Sequence, residues 1–232
     1  MIELSQRVIA AYGGEAKWRQ AKAVEAVISS GGLAYRLKWQ RPVQRLRVRA
    51  EIAEPRVRFS QIDRAGNSGV LLGHDAQIEN AGGAVLAKRQ NAREYFPGGR
   101  RKFWWDALDQ TYFAGYALWN YLTFPALLLR ADMPWREESW RTLEAFFPPH
   151  LPTHCEVQRF HFDHQTHLLR QHDYTAEVFG SWAKAAHRVL AHETWQGIPY
   201  PSKRRVTPRL RNGRPRRWPV LVWIEVHEWR LV

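Results

Sequence analysis

Sulfur and lysine are scarce in this chain of 232 residues. There is one cysteine, Cys155, and there are two methionines. A single thiol excludes an internal disulfide and any cysteine-based zinc knuckle, and it fits a reducing compartment. Of the 35 basic residues only 7 are lysine; the other 28 are arginine, against 22 acids, so the formal charge is +13. No early window is free of polar residues, because Glu3, Gln6 and Arg7 interrupt each candidate secretory stretch. The expectation is therefore a cytoplasmic protein. A phosphate-cradling loop is missing too, since neither Gly82-Gly83 nor Gly98-Gly99 runs into Lys-Ser/Thr or a dinucleotide fingerprint. Repeats, low-complexity tracts and linkers are lacking, which argues for a single domain over 1–232.

What is present is a core. Hydrophobic residues make up 45% and aromatics 13%, with 12 Trp, which rules out disorder along the whole chain. In residues 2–12 the apolar Ile2, Leu4, Val8, Ile9 and Ala11 recur near helical spacing and Gly13-Gly14 follows, predicting a short amphipathic helix with a glycine stop. Period two then takes over. Leu33, Tyr35, Leu37 and Trp39 alternate with Ala34, Arg36, Lys38 and Gln40, and Leu46, Val48, Ala50 and Ile52 alternate with Arg45, Arg47, Arg49 and Glu51. Both runs read as half-buried strands. Further strands are expected across 23–90 and again across 139–231, the latter at about 139–147, 153–163, 167–178, 186–195, 200–209 and 219–231.

Between the two strand series lie twenty residues without a charge, Gln110 to Leu129. That length could span hydrocarbon, but Asn120, Thr123 and Pro125 sit inside it and its Tyr and Trp residues are spread through the middle. A buried helical pair over 104–130, with Pro125 opening the second piece, is the better reading. Strands in series on both sides of one helical insertion imply an α+β fold. The expected form is a strongly curved antiparallel sheet, a half-barrel of about eleven strands, with an N-terminal helix and a central helical lid.

Eight of the ten histidines fall between His150 and His192. If the hairpin turns at His164-Gln165-Thr166, residue i pairs with residue 330 − i, and the even-numbered side chains share one face. That face holds Phe160, Phe162 and Leu168 together with His154, Glu156, Gln158, Arg170, His172 and Tyr174. Polar groups on an apolar face need partners. Two arrangements supply them: a satisfied cross-strand network, with Glu156 opposite Tyr174 and Gln158 opposite His172, or a polar patch that receives a ligand head group. His161, His164 and His167 straddle the hairpin tip without acidic or Cys companions of the right geometry, so no metal site is assigned. Cys155 and His154 are adjacent in a strand and point apart, so they form no nucleophile pair. No cofactor is implied.

The segment Lys203 to Arg217 carries eight cations and no acid. It reads as a strand end running into a loop. Lys203, Arg204, Arg205, Arg214, Arg216 and Arg217 are its candidate anion or phosphate contacts. The run is either a solvated hairpin loop or a contact for the phosphates of nucleic acid or lipid, and its lack of interleaved aromatics weakens the single-stranded nucleic-acid reading.

Several segments together resemble a known family. Phe162-Asp163, Leu168-Leu169-Arg170, His172-Asp173-Tyr174, Gly197-Ile198-Pro199, Lys203-Arg204-Arg205-Val206, Val220 to Glu225 (VLVWIE) and Tyr112 to Thr123 (YFAGYALWNYLT) look like an uncharacterised bacterial family. The order helix, strands, helical lid, strands is similar to that of the LolA-type lipoprotein carriers. That resemblance implies an open barrel holding acyl chains under a helical cover. The expected function is a binding module for a hydrophobic or amphipathic molecule, a lipid or acyl chain, in the sheet concavity. Tyr112, Tyr116, Trp119, Leu122, His154, Arg170, His172 and Tyr174 are its candidate contacts. Two alternatives stand beside it: an enzyme acting on a hydrophobic substrate through His172 with Asp173 or Tyr174, and electrostatic binding of a nucleic acid or membrane surface by the 203–217 loop.

Overall fold

The computed structural model describes residues 2–232. After helices α1 (Glu3–Ala11) and α2 (Glu15–Gln20) come strand β1 (Ala23–Gly31), the short helix α3 (Leu33–Leu37), and strands β2 (Val43–Glu51), β3 (Arg56–Ser60), β4 (Ser68–Leu72), β5 (Asp75–Glu79) and β6 (Val85–Arg89). Helix α4 (Ala107–Thr123) and a short turn of helix at Ala126–Leu129 separate these from β7 (Trp135–Ser139), β8 (Thr142–Phe146), β9 (Val157–Phe162), β10 (Leu169–Thr175), β11 (Lys184–Trp195), β12 (Ile198–Pro208) and β13 (Val222–Leu231). All thirteen strands join one sheet in the order β6-β5-β4-β3-β2-β1-β13-β12-β11-β10-β9-β8-β7, and every neighbouring pair whose register is defined is antiparallel. Two meanders are thus stitched by the first and last strands, with Val24 opposite Leu231 and Gly31 opposite Trp223. The sheet curves as a half-barrel around α4. This is the α+β architecture expected from the period-two runs on either side of one helix.

Three local expectations change. The alternating run Leu33 to Gln40 is not a strand. Gly31 lies so close to Trp223 that a Cβ would sit 2.9 Å from the indole, and Gly32 has φ +128° against the Leu221 backbone. The chain turns out of the sheet at Gly32, folds as α3, and re-enters at Val43 after Pro42. The run at 139–147 is split into two strands by a turn at Trp140-Arg141, and α2 was not anticipated. One strand is lost and one gained by these changes, and the described residues hold thirteen strands against the roughly eleven expected. No helix among the described residues is long and apolar enough to cross a membrane; the uncharged stretch breaks after Thr123, and Pro125 precedes the second helical piece at Ala126.

Helix α4 holds its place by close approach and by charge. A Cβ on Gly115 would lie 2.7 Å from Leu71 of β4, and one on Gly69 would lie 2.7 Å from Thr111, so the absence of both methyl groups lets helix and sheet touch. At its N-terminus Asp106 and Asp109 form a reciprocal capping box. The fully buried Asp109 carboxylate also accepts from Arg89 (2.6 Å), Arg101 (2.7 Å) and Arg100 (2.9 Å). Acid at a helix N-terminus complements the helix dipole, and three guanidinium partners offset its burial.

Candidate functional site

The concave side of the sheet has two unlike halves. Over β9–β12 it is closed and polar. Tyr121 of α4 stands on the His187 ring edge to face, with centroids 4.4 Å apart, and its hydroxyl meets His154 Nε2 at 2.5 Å and the Tyr174 hydroxyl at 3.0 Å. The Tyr116 hydroxyl reaches His154 Nδ1 at 3.2 Å. His172 Nε2 lies 2.7 Å from Gln158 Oε1, and Gln158 in turn donates to the Cys155 carbonyl at 2.8 Å. Arg204 is buried and has no carboxylate partner among the described residues; it donates to the Tyr121 carbonyl at 3.1 Å and lies over that residue's ring.

Burial dominates the electrostatics here. It pushes the imidazoles of His154, His172 and His187 well below their ordinary range, with nearby Arg93 (for His154) or Arg204 (for the other two) acting the same way. All three rings are neutral at pH 7. Burial also lowers the Arg204 guanidinium to about 10 and raises the Cys155 thiol to about 11, so the thiol is inert. A void of about 10 Å³ lies beside Arg204, Tyr121 and Trp229, about the room one water needs.

The other half is open and apolar. Between α4 and strands β1–β3 runs a cleft of about 610 Å³, walled by Ile28, Leu46, Phe59, Ile62, Ala114 and Leu118. Tyr35, Trp39 and Pro42 line its α3 end, its uncharged polar groups are Gln40, Gln44, Gln61, Gln110 and Thr111, and Arg41 is its one cation among the described residues. A wall of this kind suits an apolar body with a few oriented hydrogen bonds. Helical spacing places Ala107, Thr111, Ala114 and Leu118 on the cleft side of α4. Tyr112 and Tyr116 lie on another side, toward His74 and His154.

The residues singled out from sequence therefore divide. Tyr116, His154, His172 and Tyr174 come together in the closed half; Tyr112, Trp119 and Leu122 are buried along α4, with Trp119 donating to the Glu51 carbonyl. Arg170 does not join them. A register shift between Leu169 and Gln171 reverses the alternation, so Leu169 turns inward with Phe162 and Arg170 turns out to solvent. Beyond the shift the pairing sum is 332, placing His172 opposite Phe160, yet His172 still reaches Gln158 along the diagonal. Glu156 lies outside the strand and is exposed. His172 and Asp173 face opposite sides of the sheet: Asp173 bonds His161 (3.1 Å) and Arg209 (3.2 Å) on the outer face, so the two make no acid–base pair.

The basic segment is divided as well. Strand alternation exposes Lys203, buries Arg204 and pairs Arg205 with Glu225, while Arg214, Arg216 and Arg217 lie exposed in the following loop. Arg170, Arg209, Arg211 and Arg214 meet along an outer polar cleft of about 1170 Å³. The apolar cleft beside α3 was missed, because the alternation of Leu33 to Gln40 disguises the segment that lines its α3 end. Gly31-Gly32 and Pro42 were the available signal.

No family model and no curated protein matches the chain. Solved structures do. A LolA superfamily protein from Nitrosomonas europaea aligns over 98% of this chain and 93% of its own at 10% identity, with a TM-score of 0.52. A DUF1329 family protein from Desulfovibrio piger aligns over 98% and 91% at 11% identity, also with 0.52. A domain described as an outer-membrane lipoprotein-sorting protein, from Vibrio parahaemolyticus, aligns over 99% and 91% at 9% identity, with 0.51. The chain has a LolA-like fold.

Proposed function

We propose that the chain is a binding or carrier module for an apolar or amphipathic molecule of the fatty-acyl class, held in the cleft between α4 and β1–β3. The open, apolar-walled cleft of about 610 Å³ carries this reading, and its size is that of a site for one small ligand. The likeness to a lipoprotein-sorting domain supports the same class of cargo. In this reading Ile28, Leu46, Phe59, Ala114 and Leu118 touch the ligand. Tyr112, Tyr116, Trp119, Leu122, His154, His172 and Tyr174 act behind it, fixing α4 on the sheet so that the cleft keeps its width. Burial of acyl carbons gives roughly 0.8 kcal/mol per methylene, so a chain that fills the cleft needs little polar recognition.

Native mass spectrometry of the delipidated protein after incubation with oleate tests it. One oleate should be retained, and Ala114→Trp, which fills the cleft from α4, should abolish retention. No retention by the unmodified chain, or equal retention by the variant, would refute the proposal. A second reading, contact with a phosphate-bearing ligand, is favoured by the outer cleft, where Arg211 and Arg214 have no ion-pair partner among the described residues while Arg209 and Arg170 face Asp173 and Asp163. It predicts phosphate-dependent protection that Arg211→Gln with Arg214→Gln removes, as read by thermal shift.

A further inference from the structure

Next to the α3 end of the apolar cleft the molecule exposes large side chains that no folding requirement accounts for. Leu37 at the end of α3, Trp39 from the loop that follows it, Phe103 from the segment before α4, and Trp182 from the β10–β11 loop line one shallow depression. They are 58%, 77%, 72% and 77% exposed. Scattered exposed apolar residues are ordinary, but four around one depression mark an interaction surface.

The rim is assembled on purpose-built contacts. Lys38 is buried, and its ammonium donates to the carbonyls of Arg101 (2.8 Å) and Lys102 (2.7 Å) while lying over the rings of Trp105 and Phe179. One side chain thus pins the three loops together. Gly180 has φ +130°, and a Cβ there would sit 2.7 Å from Trp182 Nε1, so the glycine lets that indole fold against the backbone. Trp39 has φ +59°, the left-handed region where a bulky residue is an outlier and glycine is the usual helix-ending choice. A tryptophan that is both strained and solvent-exposed costs stability twice.

Charge identifies the partner. Segments 32–42, 97–105 and 179–183 contain no Asp or Glu and carry Arg36, Lys38, Arg41, Arg100, Arg101 and Lys102. Arg36, Arg41 and Lys102 have no ion-pair partner among the described residues, and no carboxylate lines the depression. Tryptophan and phenylalanine amid unpaired cations suit the headgroup region of a bilayer bearing acidic lipid, where indoles settle at the interface and each basic side chain adds attraction. Trp39 also lines the α3 end of the 610 Å³ cleft, so whatever sits on the rim adjoins that cleft.

We infer that this rim docks the protein on an anionic membrane surface, with Leu37, Trp39, Phe103 and Trp182 entering the interface and Arg36, Arg41 and Lys102 meeting lipid phosphates. The inference extends the ligand reading by naming where cargo would be exchanged, but its test does not depend on cargo. Flotation with vesicles of three parts phosphatidylcholine to one part phosphatidylglycerol should recover the protein. Vesicles of phosphatidylcholine alone should bind at least tenfold more weakly, and so should the variant Trp39→Gly, Phe103→Ser, Trp182→Ser on the mixed vesicles. Glycine relieves the left-handed position, so this variant should fold, as circular dichroism will show. Phe103→Ser with Trp182→Ser, outside the cleft, should leave oleate retention intact, whereas Ala114→Trp should lose retention and keep flotation. Failure of the unmodified chain to float, equal flotation of the triple variant, or equal binding to vesicles without phosphatidylglycerol would overturn the proposal. So would a dimer, seen by sedimentation velocity, that these substitutions dissolve in the absence of vesicle binding.

Discussion

The two halves of the concave face solve the same problem differently. Over β9–β12 the helix meets the sheet through Tyr121, His154, His172, Tyr174 and Arg204, each aimed at particular atoms. Over β1–β3 it meets Ile28, Leu46 and Phe59, for which contact has no direction. Buried polar groups tolerate few geometries because an unmade hydrogen bond costs about 1–3 kcal/mol, whereas apolar walls lose contact energy gradually as they separate. The polar half is therefore closed and the apolar half can keep a cleft. The contrast is that the conspicuous histidine cluster is closed, and the plainer surface beside it holds the open cleft.

Acid should break this contrast most strongly. His154, His172 and His187 are held neutral by burial, so unfolding below pH 6.5 takes up three protons that the native state refuses. Stability from these groups is complete above that pH and is lost as pH falls beneath it, with a limiting slope of about 4 kcal/mol per pH unit for three protons. His192, lowered by burial to about 4, adds to the same slope down to that pH. Urea unfolding between pH 7 and pH 5 will read it; a flat profile would mean that the rings are hydrated and the half is not closed.

Next in size, Asp109→Ala should cost about 3–5 kcal/mol in urea unfolding, because it leaves Arg89 and Arg101 facing a buried gap at the start of α4. Gly115→Ala should cost about 1–3 kcal/mol by forcing helix from strand at Leu71, and it should alter the cleft more than the histidine layer. The smallest effect has the opposite sign. Both ring nitrogens of the buried His187 lack partners, so His187→Leu should stabilise the chain by about 1 kcal/mol at pH 7 and remove a third of the three-ring acid slope.

Much of this was legible in the sequence. The alternation of Leu46, Val48, Ala50 and Ile52 located β2, Gly13-Gly14 ended α1, and the even-numbered face of β9 and β10 gathered Phe160, Gln158, His172 and Tyr174 on the inside. What failed had local physical causes. A one-residue register shift at Arg170 cannot be seen in a pattern that continues on both sides of it. Leu33 to Gln40 alternates perfectly, but the chain turns out of the sheet at Gly32, with φ +128°, and Leu37 and Trp39 face outward. The outer role of Asp173 was hidden for the same reason that strands always hide it: neighbours in sequence face opposite ways. Candidate polar residues were thus found readily, because burying them is expensive and conspicuous. The apolar cleft was not, since its lining looks like any core until the helix is docked.

The most direct test of the central claim is photolabelling with a diazirine-bearing fatty acid, followed by mapping of the modified peptides. Saturable labelling confined to the peptides that carry Leu46, Phe59, Ile62, Ala114 and Leu118 is the predicted result. Labelling centred on His154, His172 and Tyr174, or labelling that does not saturate, would contradict the assignment of the apolar half as the ligand site.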